Sequence, residues 1–416
     1  MAGTMKDSEV EWIGEIPEGW DISKVKYIGR YINGYAFKPD QWGQDGLPII
    51  RIQNLSGSSE SINYFDGKIS DDYLIDDGDI LISWSATLDA FIWNYGKGWL
   101  NQHIFKAIPN VQKTHKSYFF HLMKIAMLNM SSDKHGSAMQ HVTNQIFGNF
   151  QVPLPSLSEQ KLIADFLDEK CAEIDKLSED IQKQIDILND YKKSVITRAV
   201  TKGLDPNAEM KDSGVEYIGE VPTKWNIHPI YYYFDERRHK NSGNKEQNLL
   251  SLSYGRIIRK DINTNGGLLP ASFSTYNIVY KNDIIIRPTD LQNDKRSLRT
   301  GLVTERGIIT SAYIDLRPLD GVNSEYYHYL LHAYDIMKVF YNMGNGVRQG
   351  LNYSEFSKLL VLEPSSEEQR TIVSYLNDKC EKINSIIATE LDRLNELQSY
   401  KKSIIYEYVT GKKRVV

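Results

Sequence analysis

The sequence predicts a mixed α/β (α+β) chain built as a pseudo-twofold tandem repeat. Two homologous globular domains are separated by two long helices that form an antiparallel coiled coil. Three observations lead there. First, "MKDSEVEWIGEIPEGWDI" at 5–22 returns as "MKDSGVEYIGEVPTKWNI" at 210–227 with 12 of 18 residues identical. Second, "EQKLIADFLDEKCAEIDKLSEDIQKQIDILNDYKKSVITRAVT" (159–201) returns at 368–410, with Cys171 over Cys380 and "YKKS" over itself. Third, the regions between these pairs are short apolar runs broken by Gly, Asn and Asp, the pattern of strands and turns. An internal period governs every other reading. Here it divides the chain into segments 1–22, 23–155, 156–204, 205–227, 228–363 and 364–416.

The 23–155 and 228–363 regions share a thin framework. "IDDGDILIS" (75–83) aligns with "IVYKNDIIIR" (278–287), which sets Asp79 opposite Asp283 at the head of an apolar strand. "SYFFHLMKIAML" (117–128) and "SEYYHYLLHAYDIMKVFY" (324–341) read as amphipathic helices. "GSAMQHVTNQIFGNFQVPLPSLSEQ" (136–160) aligns with "GVRQGLNYSEFSKLLVLEPSSEEQ" (346–369). Gln140 meets Gln349, and a short helix, an apolar strand and a proline follow each.

The long helices open on S-x-x-E capping boxes, Ser156/Glu159 and Ser365/Glu368. In the first, Leu167, Ile174, Ile181, Leu188 and Val195 recur every seven residues, beside Cys171, Ser178, Ile185, Lys192 and Ala199. The second carries Leu376, Ile383, Glu390, Leu397, Ile404 and Cys380, Ile387, Leu394, Lys401, Tyr408. Sevens sustained this long indicate coiled-coil packing, and Lys192 and Glu390 on the seam point to a further partner or partial exposure. Arg198 and Lys202, then Gly203 and Pro206, end the first helix. At about 1.5 Å per residue it spans roughly 60 Å.

Several function classes are excluded at this level. Hydrophobic content of 41% and charged content of 25% are those of a soluble globular chain. No apolar run suits a membrane span and no secretion signal opens the sequence, so a cytoplasmic location is expected. Two cysteines cannot make a zinc site, and the nine histidines are scattered. The chain has no Pro-Pro pair, hence no amino-methyltransferase motif, and no G-x-x-x-x-G-K-[ST] phosphate loop. No catalytic residue, metal or cofactor is therefore expected in this chain. Net charge is −5, yet residues 237–306 hold 13 Lys/Arg against 6 Asp/Glu, a local excess of +7. Such a patch suits phosphate.

The order of these parts, twice over, resembles the specificity (S) subunit of type I restriction–modification systems. "WIGEIPEGW" and "YIGEVPTKW", the helix entries "PLPSLSEQ" and "EPSSEEQ", and the helix ends "YKKSVITRAVTKG" and "YKKSIIYEYVTGK" carry the resemblance across nearly the whole chain. It implies two target-recognition domains, each reading one half of an asymmetric bipartite sequence in double-stranded DNA. It also implies helices that set the gap and dock two modification (methyltransferase) subunits. S-adenosylmethionine, ATP and Mg²⁺ would act in partner subunits, and two restriction (translocase and nuclease) subunits are a further partner that the sequence leaves open. The competing expectation is a cytoplasmic coiled-coil scaffold with two protein- or ligand-binding domains.

Base readout needs paired donors and acceptors, Arg for guanine and Asn or Gln for adenine. In the first domain the candidates are Lys38, Gln41, Arg51, Gln53, Asn54, Trp84, Ser85, Thr87, Asn101, Gln102, His103, Gln140 and His141. In the second they begin with Arg237, Arg238, His239, Lys240, Asn241, Tyr254, Arg256, Arg259 and Lys260. Arg287, Thr289, Gln292, Asn293, Lys295, Arg296, Arg299, Arg348 and Gln349 complete that set. Candidate partner contacts are Tyr191, Lys192, Lys193, Tyr400, Lys401 and Lys402.

Overall fold

A computed structural model describes residues 4–132, 142–262, 270, 272–289, 291, 298–343 and 350–415. Its contacts divide the chain into two compact units, 1–181 with 391–416, and 182–390.

Each unit opens on the repeated lead-in. In unit 1, Met5–Asp7 pairs antiparallel with Glu15–Pro17, and the Asp7 carboxylate accepts the Glu9 N–H at 2.9 Å to hold the turn. In unit 2, Met210–Asp212 pairs with Glu220–Pro222, and Asp212 accepts the Gly214 N–H at 2.9 Å. Ile13, Ile16 and Trp20, like Ile218, Val221 and Trp225, point into the core. The next strand of each lead-in, Asp21–Lys24 or Asn226–Pro229, pairs with the last strand before the long helix, Gln151–Leu154 or Leu360–Glu363. The lead-in is thereby tied to the helix entry.

Among the described residues, eight strands lie between in each unit. In unit 1 they are β1 (Gly29–Asn33), β2 (Leu47–Ile50), β3 (Asn63–Phe65), β4 (Leu74–Ile75), β5 (Ile80–Ser83), β6 (Asp89–Ile92), β7 (Gly98–Leu100) and β8 (Ile104–Pro109). In unit 2 they are β9 (Phe234–Glu236), β10 (Leu250–Ser253), β11 (Arg256–Arg259), β12 (Asn277–Val279), β13 (Ile284–Ile286), β14 (Thr300–Leu302), β15 (Gly307–Ile309) and β16 (Ile314–Pro318). One sheet runs β1–β8–β5–β6 and its counterpart β9–β16–β13–β14, antiparallel throughout. The other runs β3–β2–β7–β4, with only β2–β7 parallel. In unit 2 the pairs β11–β10 and β15–β12 meet at a parallel bridge, Leu249 to Ile308, so the order is the same. The aligned Asp79 and Asp283 head β5 and β13. Successive side chains of a strand face opposite sides. Ile80 and Ile82 enter the main core while Leu81 enters a second one, and Ile284 and Ile286 divide from Ile285 in the same way. That is why these strands read as unbroken apolar runs.

Four long helices complete the units: α1 (Lys116–Ser132), α2 (Leu157–Lys202), α3 (Ser324–Ile336) and α4 (Ser366–Val409). The amphipathic stretch at 324–341 does not continue as one helix. It stops at Ile336, because Lys338 takes a left-handed φ of 63° and a tighter turn follows at Val339–Asn342. In unit 1 the α2 residues Phe166 and Asp175 meet the α4 residues Tyr408 and Lys401. Numbering rises along one helix as it falls along the other, so the two run antiparallel. Within unit 2, Lys192 of α2 meets Asn384 of α4 at 2.8 Å. On the predicted seam Leu167, Cys171, Ile174, Ile181, Ile185, Leu376, Cys380, Ile383 and Ile404 are buried. Buried Tyr118 of α1 donates its hydroxyl to the Val409 carbonyl, as Tyr326 of α3 does to Val200.

The end of each long helix closes on a lead-in of its own unit. Lys412 donates to the Glu15 carbonyl at 2.5 Å, and Lys202 to the Glu220 carbonyl. Gly411 carries φ +73°, and a Cβ there would collide with Pro17 and lie 3.1 Å from Trp20. Gly411→Ala is therefore expected to cost about 1–3 kcal/mol. Gly96→Ala has a similar φ of +74° but nothing within 4 Å, and should cost about 1 kcal/mol or less. Urea denaturation followed by circular dichroism compares the two, and equal losses would contradict the closure.

Candidate nucleic-acid interface

In unit 1 the loops after β5 and β7 come together. The Trp84 N–H donates to the His103 carbonyl at 3.1 Å, and the Trp84 indole stacks on Phe105 while its Nε1–H reaches Asn33 at 3.1 Å. His103 packs against the same indole at 4.8 Å, and Gln102 donates its backbone N–H to Tyr35. Thr87 and Gln102 are exposed, Ser85 and His103 half-buried, and Asn101 buried. A second group surrounds β2. Arg51 lays its guanidinium over Trp42 at 5.2 Å and donates to Asn63 at 3.2 Å. Gln41 and Asn54 accept the backbone N–H groups of Lys38 and Arg51, so their side-chain oxygens hold their own turns. Gln53 is half-buried and Lys38 exposed.

In unit 2 the candidate cations divide by what they meet. Arg237 makes a two-point ion pair with Asp283 (2.9 and 3.1 Å), and Arg238 pairs with Glu236 at 2.9 Å. Arg259 pairs with Glu305. The neighbouring Arg306 pairs with Glu246 at 3.0 Å, so carboxylates offset much of the +7 excess locally. Asn241 is fully buried, its amide spent on Glu246 and Phe273 backbone. Arg299 is buried too and donates to the Thr289 carbonyl. His239 stacks on Tyr280, and Lys240 donates to the Thr275 carbonyl at 3.1 Å. Arg287 is half-buried, whereas Tyr254, at 78% exposure, Arg256 and Lys260 stand on the surface. Gln140, His141, Gln292, Asn293, Lys295, Arg296, Arg348 and Gln349 lie outside the described residues.

Two aromatic positions escaped the sequence reading. Trp42 stands under Arg51, and the Tyr280 ring lies 4.6 Å from Arg237 and 5.6 Å from Arg306. Aromatic faces beside guanidinium groups suit both bases and backbone, and a Trp or Tyr among cations was the available signal. On the helices Tyr191, Lys193, Tyr400 and Lys402 are exposed, while Lys192 turns to Asn384 and Lys401 to Asp175. Among the described residues no group of three or more His, Cys, Asp or Glu could hold a metal, and no helix is long and apolar enough to cross a membrane.

Residues 17–187 match the family of the type I restriction modification DNA specificity domain. The chain is 24% identical over 419 residues to the type I restriction enzyme MjaVIII specificity subunit of Methanocaldococcus jannaschii, covering 96% of this chain and 94% of that one. It is 25% identical over 197 residues to the EcoBI specificity subunit of Escherichia coli, spanning 47% of this chain and 41% of that subunit. Among solved structures, a chain from a type I R-M system assembly superposes with a TM-score of 0.66 at 13% identity, over 96% of this chain and 99% of that chain. This last likeness is one of fold.

Asp283 and Arg237 form a buried cluster with Asp315, whose carboxylate lies 3.9 Å from the Arg237 guanidinium. Its counterpart in unit 1 is simpler, since Lys106 of β8 pairs with Asp79 at 2.8 Å. Lys106 faces Leu81 across the sheet, and Asp315 takes the matching place opposite Ile285. A basic residue has thus become acidic and the balancing cation has moved to Arg237. One Arg against two Asp leaves a buried negative excess. Burial first, and then the Asp283 charge, push the Asp315 carboxyl up to about 8. In the unfolded chain it titrates at about 4. Between those values the folded state binds more protons, so stability falls as pH rises from about 4 to about 8. Asp315→Asn should flatten this decline and make the variant more stable than the parent above about pH 8. Denaturation midpoints against pH check this, and an undiminished slope in the variant would count against the cluster.

Proposed function

Because this chain belongs to the type I restriction–modification specificity family, we propose that it recognises double-stranded DNA for a type I complex, each unit reading one half of an asymmetric bipartite target. Doubling with divergence carries this reading. The strand order and the helix entry occur twice, while the loops that would meet DNA differ between the copies. Unlike loops imply unlike half-sites. On this reading the recognition domains are residues 23–155 and 228–363, with readout falling to the loops after β5 and β7, the Arg51–Trp42 pair, the β10–β11 turn and the cations beside Tyr280.

The two long helices set the gap between the half-sites and dock two methyltransferase subunits. Exposed Tyr191, Lys193, Tyr400 and Lys402, at equivalent points of the two helices, support that docking role. The chain itself supplies recognition. Methyl transfer with S-adenosylmethionine, and ATP- and Mg²⁺-dependent cleavage where restriction subunits join, belong to the partners.

The test is a map of methylated bases in cells expressing the chain with and without its methyltransferase partner. A bipartite methylated motif that needs both proteins is expected, and methylation by this chain alone would overturn the division of labour. The docking role has its own check. Lys193→Glu combined with Lys402→Glu should reduce the methyltransferase recovered with the chain while leaving its denaturation midpoint unchanged. Undiminished recovery would move the docking surface elsewhere.

A further inference from the structure

In unit 2 a cavity of about 600 Å³ opens among α2, α3, α4 and the β10–β11 turn. Its helical wall is a repeat of one in unit 1. Lys192, Ile196, Cys380 and Asn384 line it, and the residues 209 positions away in the repeat (Lys401, Ile405, Cys171 and Asp175) line a cavity of about 360 Å³ there.

The two walls differ in charge. In unit 1 each basic side chain meets a carboxylate: Lys401 with Asp175, Lys124 with Asp89 at 2.9 Å, and the His121 ring with Asp168 at 2.7 Å. In unit 2 Asn384 stands at the position of Asp175, and Asn377, which accepts the Tyr329 hydroxyl at 2.7 Å, at that of Asp168. Lys192, Lys193 and Arg256 line the cavity, and no carboxylate does among the described residues. Lys193 has Asp190 on the outer side at 2.8 Å. Among the described residues Lys192 meets the neutral Asn384 amide oxygen and no carboxylate, and Arg256 adds its charge nearby. Two further imidazoles, His328 and His332, line the wall, each with a buried ring nitrogen that has no partner among the described residues. The turn that brings Arg256 to the cavity is a constrained one, with Tyr254 at φ +46° and Gly255 at φ +78°.

A half-buried cation without a counter-charge, as at Lys192, is costly, and an anion that enters recovers part of that cost. A guanidinium beside an ammonium matches a tetrahedral oxyanion, since Arg presents a planar fork and Lys a point charge. We propose that the unit-2 cavity binds a phosphate group between Lys192 and Arg256, and that unit 1 lacks this site because Asp175 and Asp168 occupy the anion's place. The phosphate is either part of the DNA backbone, in which case the site rests on the DNA reading above, or a free phosphate.

The test uses the full chain and two variants. Asn384→Asp restores opposite Lys192 the pair that unit 1 already contains, so the fold accommodates it. Arg256→Gln removes the second cation on an exposed turn. Inorganic phosphate is titrated by calorimetry, and duplex DNA binding is measured against salt. For a free-phosphate site, the parent takes up one phosphate per chain, both variants bind it at least about tenfold more weakly, and Asn384→Asp leaves DNA affinity unchanged. For a DNA-backbone site, both variants bind every duplex sequence roughly eightfold more weakly at about 0.1 M salt, with the log–log salt slope reduced by about 0.9. No phosphate uptake by the parent together with identical salt slopes in all three proteins overturns the site. A parent chain that binds no duplex at all would overturn the DNA reading, and the phosphate titration would then decide the cavity alone.

Discussion

In each unit an indole N–H from the lead-in reaches the carboxylate three residues into the long helix: Trp20 to Glu159 at 3.4 Å and Trp225 to Glu368 at 3.0 Å. The same carboxylates belong to the capping boxes, whose serines accept the Glu159 and Glu368 N–H groups. The next residue completes the junction. Buried Gln160 donates to the carbonyls of Pro155 and Lys113 and accepts the His115 N–H, and Gln369 donates to the Pro364 carbonyl at 3.0 Å. A buried amide this well satisfied is costly to replace, because every substitute leaves some backbone group unpaired. Lead-in, variable region and helix therefore converge on one point in each unit. The start of each long helix is tied to the lead-in there.

That junction explains what was legible. The pieces that make it, "WIGE", "GW" or "KW", and "SEQ" or "EEQ", meet at one junction, so a change in one would need matching changes in the others. Two copies in one chain still share them, and a comparison of the chain with itself found them. The strands β5 and β13 were legible for another reason, since burial on both faces leaves an uninterrupted apolar run. The helix at 324–341 was misjudged in length, because its end is set by the backbone of Lys338 and no glycine or proline announces the stop.

The candidate site was legible by region and poorly by residue. Arg, Asn and Gln are equally good at reading a base and at stabilising their own loop. Nothing in "KNSGNKE" says that Asn241 is buried on the Glu246 backbone, or in "SLRTG" that Arg299 is buried while Arg256, earlier in the segment, stands out. Gln41 and Asn54 belong to the same class, with turn-holding oxygens. Conversely Trp42 and Tyr280 gain their place beside guanidinium groups only in the folded chain, which brings Arg237 and Arg306 to Tyr280 from far along the sequence.

The copies also show how such a framework diverges. At the head of the central strand, Lys106 with Asp79 in one unit answers to Arg237 with Asp283 and Asp315 in the other. On the helical wall, Asp175 answers to Asn384 and Asp168 to Asn377. Some apolar positions on these elements kept their identity, as with Ile80 and Ile284 or Cys171 and Cys380, and others changed size, as with Ala107 and Leu316. Charged positions changed sign, moved to a neighbouring strand or lost their partner. Packing penalises lost volume wherever it occurs, but a charge can be balanced from any adjacent element or from outside the chain. New binding properties therefore enter through the ion pairs of the fold, and a pair left half-made, as at Lys192, is where a ligand takes over a role that the protein fills for itself elsewhere.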